Sequence, residues 1–190
     1  MPELHLTGDE VADGLLSRDA NALTIGMLLD QQVTMEKAFS GPAVIAERMG
    51  GTLDVRAIAA ADPQEFVELC SRPPAIHRFP KSMAERVQSL CQELVDTWDG
   101  DLTNLFAAAR TGADLKKLVS GLPGFGAAKA AIFVALLGKQ YGITPDGWRE
   151  AAGEFGQDGY RSVADITDSE SLLKVRATKQ AVKAAAKAKG

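Results

Sequence analysis

Cysteine is scarce in this chain of 190 residues, which holds only Cys70 and Cys91. Two thiols cannot form a four-thiolate zinc site or iron-sulfur cluster, and His5 and His77 complete no familiar ligand spacing. No metal and no cofactor are expected, and both cysteines read as reduced packing residues. Long apolar runs are also missing. The longest, residues 130–138, is closed by Lys129 and Lys139 and is too short to cross a bilayer, so no membrane partner is expected. The N-terminus lacks the basic start and apolar stretch of a secretory leader, which points to a cytoplasmic, nucleoid-associated protein. Aromatic residues make up 6% of the chain and strand-like alternation is almost absent. Positive charge is short overall, with a net charge of −4. That is unfavourable for phosphate binding.

What is present is helix-forming sequence. Hydrophobic residues amount to 46%, enough to fill a core, and alanine and leucine dominate, so an all-α protein is expected. Apolar spacing and cap residues predict helices over about residues 4–16, 20–32 and 34–49, two short ones over 54–60 and 62–70, then 81–98, 102–109, 114–120, 127–141 and 169–189, with a helical turn near 150–155. Thr7 or Asp9, Thr34 and the Asp62-Pro63 pair supply start signals. Charge is uneven: residues 171–190 carry six basic side chains and no acid, while residues 1–170 hold fifteen basic against twenty-five acidic. This basic tail reads either as a phosphate contact or as a soluble terminal helix.

The sharpest local feature is Leu122-Pro123-Gly124-Phe125-Gly126, set between two predicted helices. Proline stops the first helix, Gly124 and Gly126 are expected to adopt backbone angles closed to other residues, and Leu122 and Phe125 anchor the turn in the core. The amides of Ala127 and the residues after it then stand free at the positive end of a helix dipole, a seat for a phosphate oxygen. Such a contact is blind to base sequence. An ordinary helix-to-helix turn is the competing explanation.

Apolar-Pro-Gly-apolar-Gly between two helices resembles the hairpin of the helix-hairpin-helix (HhH-GPD) DNA glycosylase superfamily, of the endonuclease III and 3-methyladenine glycosylase kind. Two upstream segments strengthen the resemblance. Leu28-Leu29-Asp30-Gln31-Gln32-Val33-Thr34 is similar to the helix end that reaches the extruded base or its gap, and Phe79-Pro80-Lys81-Ser82-Met83-Ala84-Glu85-Arg86-Val87 to the segment beside the hairpin. The match spans about residues 20–150.

The resemblance implies a two-lobed all-α fold with a DNA-binding cleft between the lobes: a central bundle over residues 21–133, including the motif at 114–133, and a second lobe of residues 1–20 plus 134–190. It implies a base excision repair enzyme acting on double-stranded DNA that carries a damaged or mismatched base, working as a monomer. Leu122, Gly124, Phe125, Gly126, Ala127, Lys129 and Gln32 are the implied DNA contacts. Gln31, His77, Phe79, Tyr141 and Trp148 are candidates for the base pocket, each also explained as packing or surface structure. The family's catalytic aspartate falls at Asp146 by ungapped counting, although Pro145-Asp146-Gly147 is also turn chemistry and its neighbours depart from the usual pattern; Glu150 and Glu154 are the reserves. Where bifunctional members carry a Schiff-base lysine this chain has Ala128, and Lys129, about 100° further round the helix, reads as a phosphate or solvent contact. The expectation is therefore base release without efficient lyase action. A hairpin module that binds DNA without catalysis is the alternative, and a helical protein-interaction domain is a third.

Overall fold

The computed structural model describes residues 2–190. These residues form eleven α-helices and two 3₁₀ turns and contain no strand, only an isolated bridge between Thr111 and Asp146. The all-α expectation from composition is met. Helices α1 (Glu10–Arg18), α2 (Ala20–Leu29), α3 (Met35–Arg48), α4 (Val55–Ala60) and α5 (Pro63–Ser71) precede the long α6 (Pro80–Trp98). Then follow α7 (Thr103–Ala108), α8 (Gly112–Ser120), α9 (Ala127–Gln140), α10 (Trp148–Ala152) and α11 (Ser169–Ala188). The 3₁₀ turns lie at Gly153–Gly156 and Val163–Asp165.

Most starts follow from local chemistry. Asp9, Asp19, Thr34, Asp54, Asp62, Thr111 and Asp168 each turn a side-chain oxygen onto a first-turn amide of the helix they open. In α6, Met83, Val87, Leu90 and Leu94 are buried along one stripe, as their spacing requires. Helix α2 is buried on nearly every side and forms the central strut, packed against α3 and α6. It ends at Leu29, three residues before the expected limit. The reason is local: Asp30 N–H turns back to Met27 O, Gln31 N–H to Leu29 O at 2.8 Å, and Gln32 adopts a φ of 58°. The chain is thereby carried out of the helix towards the surface.

One apolar cluster runs from Leu4 to Val175. The expected lobe boundary after Phe133 falls inside α9, where Phe133, Val134, Ala135, Leu136 and Leu137 are all buried. Helix α1 packs on α2 and α3. Its leading segment also faces residues 167–172. Asp13 secures that segment by accepting from the amides of Leu6, Thr7 and Gly8 and the hydroxyl of Thr7. Residues 157–166 are clamped to the end of α9. Lys139 donates to Gln157 O and the buried Asp165 carboxylate, both at 2.6 Å, and Gln140 donates to Ala164 O and Ile166 O.

Candidate nucleic-acid interface

Between α8 and α9 the chain makes a single tight turn. Phe125 N–H donates to Leu122 O at 3.1 Å, Pro123 occupies the second position and Gly124 the third, with φ 85°. That is the arrangement of a type II turn, whose third residue must accept a positive φ. Gly124 is constrained a second way, because a Cβ on it would overlap Leu28 Cδ1 of α2. Leu122 and Phe125 are buried and hold the turn to the core, Phe125 against Phe133 with ring centroids 5.8 Å apart. Gly126 differs from the expectation made for it: its φ of −85° is open to any residue, and a Cβ there meets nothing within 4 Å. Neither the turn nor the packing demands glycine at 126. What the missing side chain leaves is an uncovered backbone.

Helix α9 begins at this glycine with no side-chain cap. Its first internal bond is Ala130 N–H to Gly126 O, so the amides of Ala127, Ala128 and Lys129 have no backbone acceptor, and Gly126, Ala127 and Ala128 are exposed. Three free donors at a helix dipole's positive end, with no side chain in front, suit an anionic oxygen. Lys129 does not join them through its ammonium group. Its Nζ reaches back to Met27 O at 3.0 Å and Leu28 O at 3.2 Å, carbonyls at the end of α2. The expected solvent or phosphate contact is thus replaced by a cap on a neighbouring helix, and only the Lys129 backbone amide faces outward. Burial lowers the Lys129 pKa, with Asp30 acting in the opposite sense and Arg86 adding to the depression.

The end of α2 is consequently seated on the first turn of α9, and Asp30, Gln31 and Gln32 emerge beside the free amides. Gln31 is fixed: its Nε2 donates to Leu28 O and its Oε1 accepts from Arg86. Its carbonyl is held from below by the buried His77, Nε2 to Gln31 O at 2.8 Å, while His77 Nδ1 accepts the Phe79 amide at 3.0 Å. This pairing requires the neutral ring with its proton on Nε2, and burial lowers the His77 pKa accordingly. Gln32 is different. It is exposed, makes no side-chain hydrogen bond among the described residues, and holds a left-handed backbone that non-glycine residues rarely keep without a reason.

Alongside lies a cavity of about 910 Å³. Residues 30–35 form one side, Ile132 of α9 and Glu154 with Phe155 contribute further wall, and Arg161 and Ser162 lead to α11. Helix α11 closes it with residues 176–183, tied back to the start of α3 by Arg176 on Glu36 and by Lys179 Nζ against Met35 Sδ at 3.5 Å. The basic tail is therefore partly a cavity wall. Asp30 faces this space half-buried; burial raises its pKa, and Lys179 and Lys129 act against that rise.

Gln31, Gln32, His77 and the hairpin are thus brought together. Phe79 does not line the cavity; it is 43% exposed, with the Arg78 guanidinium 5.3 Å from its ring centre. Tyr141 and Trp148 are not there. The Tyr141 hydroxyl donates to Leu16 O and joins α9 to α1, and Trp148 lies against Gly138 beneath Arg149. Asp146 is exposed at the opposite end of the hairpin pair, where its carbonyl accepts Gly112 N–H at 2.7 Å at the start of α8. Nine residues of α8 separate that point from the turn, about 13 Å at helical rise. Of the reserve acids, Glu154 lines the cavity and Glu150 does not.

Sequence reading passed over Asp30 and Lys179. A signal for the first existed: an acid directly after an apolar helix opposes the negative end of the helix dipole, and local rules are broken most often where function requires it. Lys179 offers no comparable signal, because only tertiary packing returns α11 to α3. In comparison with known proteins, a family model for HhH-GPD superfamily base excision DNA repair proteins matches residues 25–189. No curated protein and no solved structure shows a significant match.

Proposed function

Because the chain belongs to the HhH-GPD superfamily of base excision DNA repair proteins, we propose that it is a monofunctional DNA glycosylase. In this reading it hydrolyses the N-glycosidic bond of a damaged or mismatched base after rotating the nucleotide out of double-stranded DNA. One observation carries the proposal: the uncapped amides of α9 stand beside Gln32 and a cavity able to take an extruded base. The amides hold a backbone phosphate next to the lesion. Gln32, exposed and unbonded, enters the space the nucleotide vacates. The base enters between residues 30–35 and α11, where Phe155 offers a flat surface.

Lyase chemistry needs a free amine near the sugar. Ala128 has none, and the Lys129 ammonium is bonded to two carbonyls of α2. From these two positions base release is expected to leave the strand intact; the other amines at the cavity, Lys179 and Lys183, stand on the α11 wall. The acidic body makes binding depend on few phosphate contacts, so affinity falls moderately with salt. We take the active species to be a monomer.

Asp146 acts in this scheme only if residues 142–147 swing away from α8 towards the hairpin. Its placement favours the second reading, a hairpin module that binds DNA without catalysis. Duplexes carrying uracil, alkylated purines, deaminated purines or oxidised guanine, followed by alkaline cleavage at abasic sites, separate the two. Release from at least one duplex, with no cleavage before alkali, is the expected result. Salt-sensitive binding without release across the panel would leave the module.

A further inference from the structure

We infer that Asp30 is the carboxylate that faces the sugar of the extruded nucleotide and balances the positive charge developing there as the base departs, an inference that rests on the chain being a glycosylase. Position is the first ground. Asp30 ends α2, whose last carbonyls are bonded to Lys129 in the first turn of α9, so it stands next to the free amides. A phosphate on those amides brings its own nucleotide to Asp30, whereas Asp146 is at the other end of α8.

Availability is the second ground. The Asp30 side chain lines the cavity and takes part in no hydrogen bond or ion pair among the described residues. Of the other acids near the cavity, Glu36 is paired with Arg176, and Glu154 is exposed on the wall away from the hairpin.

Electrostatics is the third. Asp30 sits at the negative end of α2, so helix and carboxylate both disfavour the empty state and both favour an arriving cation. Burial raises the Asp30 pKa, Lys179 and Lys129 act against that rise, and Glu36 adds to it. As the C1′–N bond breaks, its electron pair leaves with the base, which takes a proton from solvent. Water adds to C1′ and gives its proton to the Asp30 carboxylate. The products are a free base and an abasic sugar.

A test independent of the lesion uses two duplexes. One carries a protonated pyrrolidine in place of a deoxyribose, cationic where the transition state is cationic, and the other a neutral tetrahydrofuran. The wild-type protein is expected to prefer the cationic duplex by at least about tenfold, since transition-state mimics bind more tightly than neutral analogues. Asp30→Asn is expected to lose that preference while binding the neutral duplex as tightly as before, and Glu154→Gln and Asp146→Asn to keep it. Asp30→Asn should melt no lower than the wild type, because the charge it removes is partly desolvated. On any duplex found to release its base, Asp30→Asn should slow single-turnover release by on the order of 100-fold. Survival of the cationic preference in Asp30→Asn, or its loss in Asp146→Asn or Glu154→Gln alone, overturns the assignment and leaves the glycosylase reading intact. No preference and no base release in the wild type overturn both.

Discussion

Two glycines two residues apart in the hairpin should respond to the same substitution in opposite ways. At Gly124, alanine must hold a φ of 85° and place its Cβ against the fully buried Leu28. The left-handed backbone costs about 1–2 kcal/mol and overpacking against a core leucine about 1–3 kcal/mol. A total of about 3 kcal/mol, at roughly 2–4 °C per kcal/mol for a chain of this size, lowers Tm by on the order of 10 °C. At Gly126 the backbone is extended and the Cβ meets nothing. The poorer cap that alanine makes, about 0.5–1 kcal/mol, is offset by a comparable loss of unfolded-chain entropy, so Tm stays within about 3 °C. Binding should show the reverse. A methyl group over the α9 amides weakens a charge-assisted hydrogen bond worth about 1.5–3 kcal/mol, which is about a tenfold to hundredfold loss of affinity. Thermal melting together with fluorescence anisotropy on one duplex at fixed salt reads both effects. If Gly126→Ala melts normally and still binds DNA with wild-type affinity, the hairpin is only a turn, and the phosphate argument fails with it.

Other substitutions test the supports of the site. Lys129→Ala strips two carbonyls of a charged donor and should destabilise by about 1.5–3 kcal/mol, and borohydride should trap no adduct in the wild type; a Tm equal to wild type, or a covalent adduct that disappears with Lys129, contradicts the role given to it. Burial depresses the His77 pKa below the ordinary 6.5, so the neutral ring's contribution is present above that value and fades as pH falls through the folded value. The Tm of the wild type should therefore drop more steeply below about pH 6.5 than that of His77→Asn, and parallel slopes would refute this. Arg176→Ala removes a partly exposed ion pair worth no more than about 1 kcal/mol, so global melting should barely change while trypsin cuts faster at Lys179 and Lys183; unchanged digestion would mean that α11 is held by other contacts.

The helices were readable because their determinants are local. Asp54, Asp62 and Thr34 announce starts within three residues, and the α6 stripe announces its own buried face. The hairpin was readable for the same reason. Less was readable where a residue's surroundings are decided by distant chain. Counting without gaps reaches Asp146 but says nothing of the course of the loop after α9, where the Asp146 carbonyl accepts the Gly112 amide. The helical angle separating Lys129 from Ala128 was informative about what Lys129 is not. It said nothing of the two carbonyls a hundred residues earlier to which it turns. Tyr141 and Trp148 are flat, amphipathic side chains, and only packing distinguishes a pocket wall from a brace between helices.

The Lys129 bonds also have a mechanical consequence. They join the start of α9 to the end of α2 through one half-buried side chain, so the free amides and the residues that follow α2 are held at one spacing. Under the proposed function the pair works as a caliper with a set gape, spanning each nucleotide alike whatever base it carries, and discrimination among lesions falls to the far wall formed by α11.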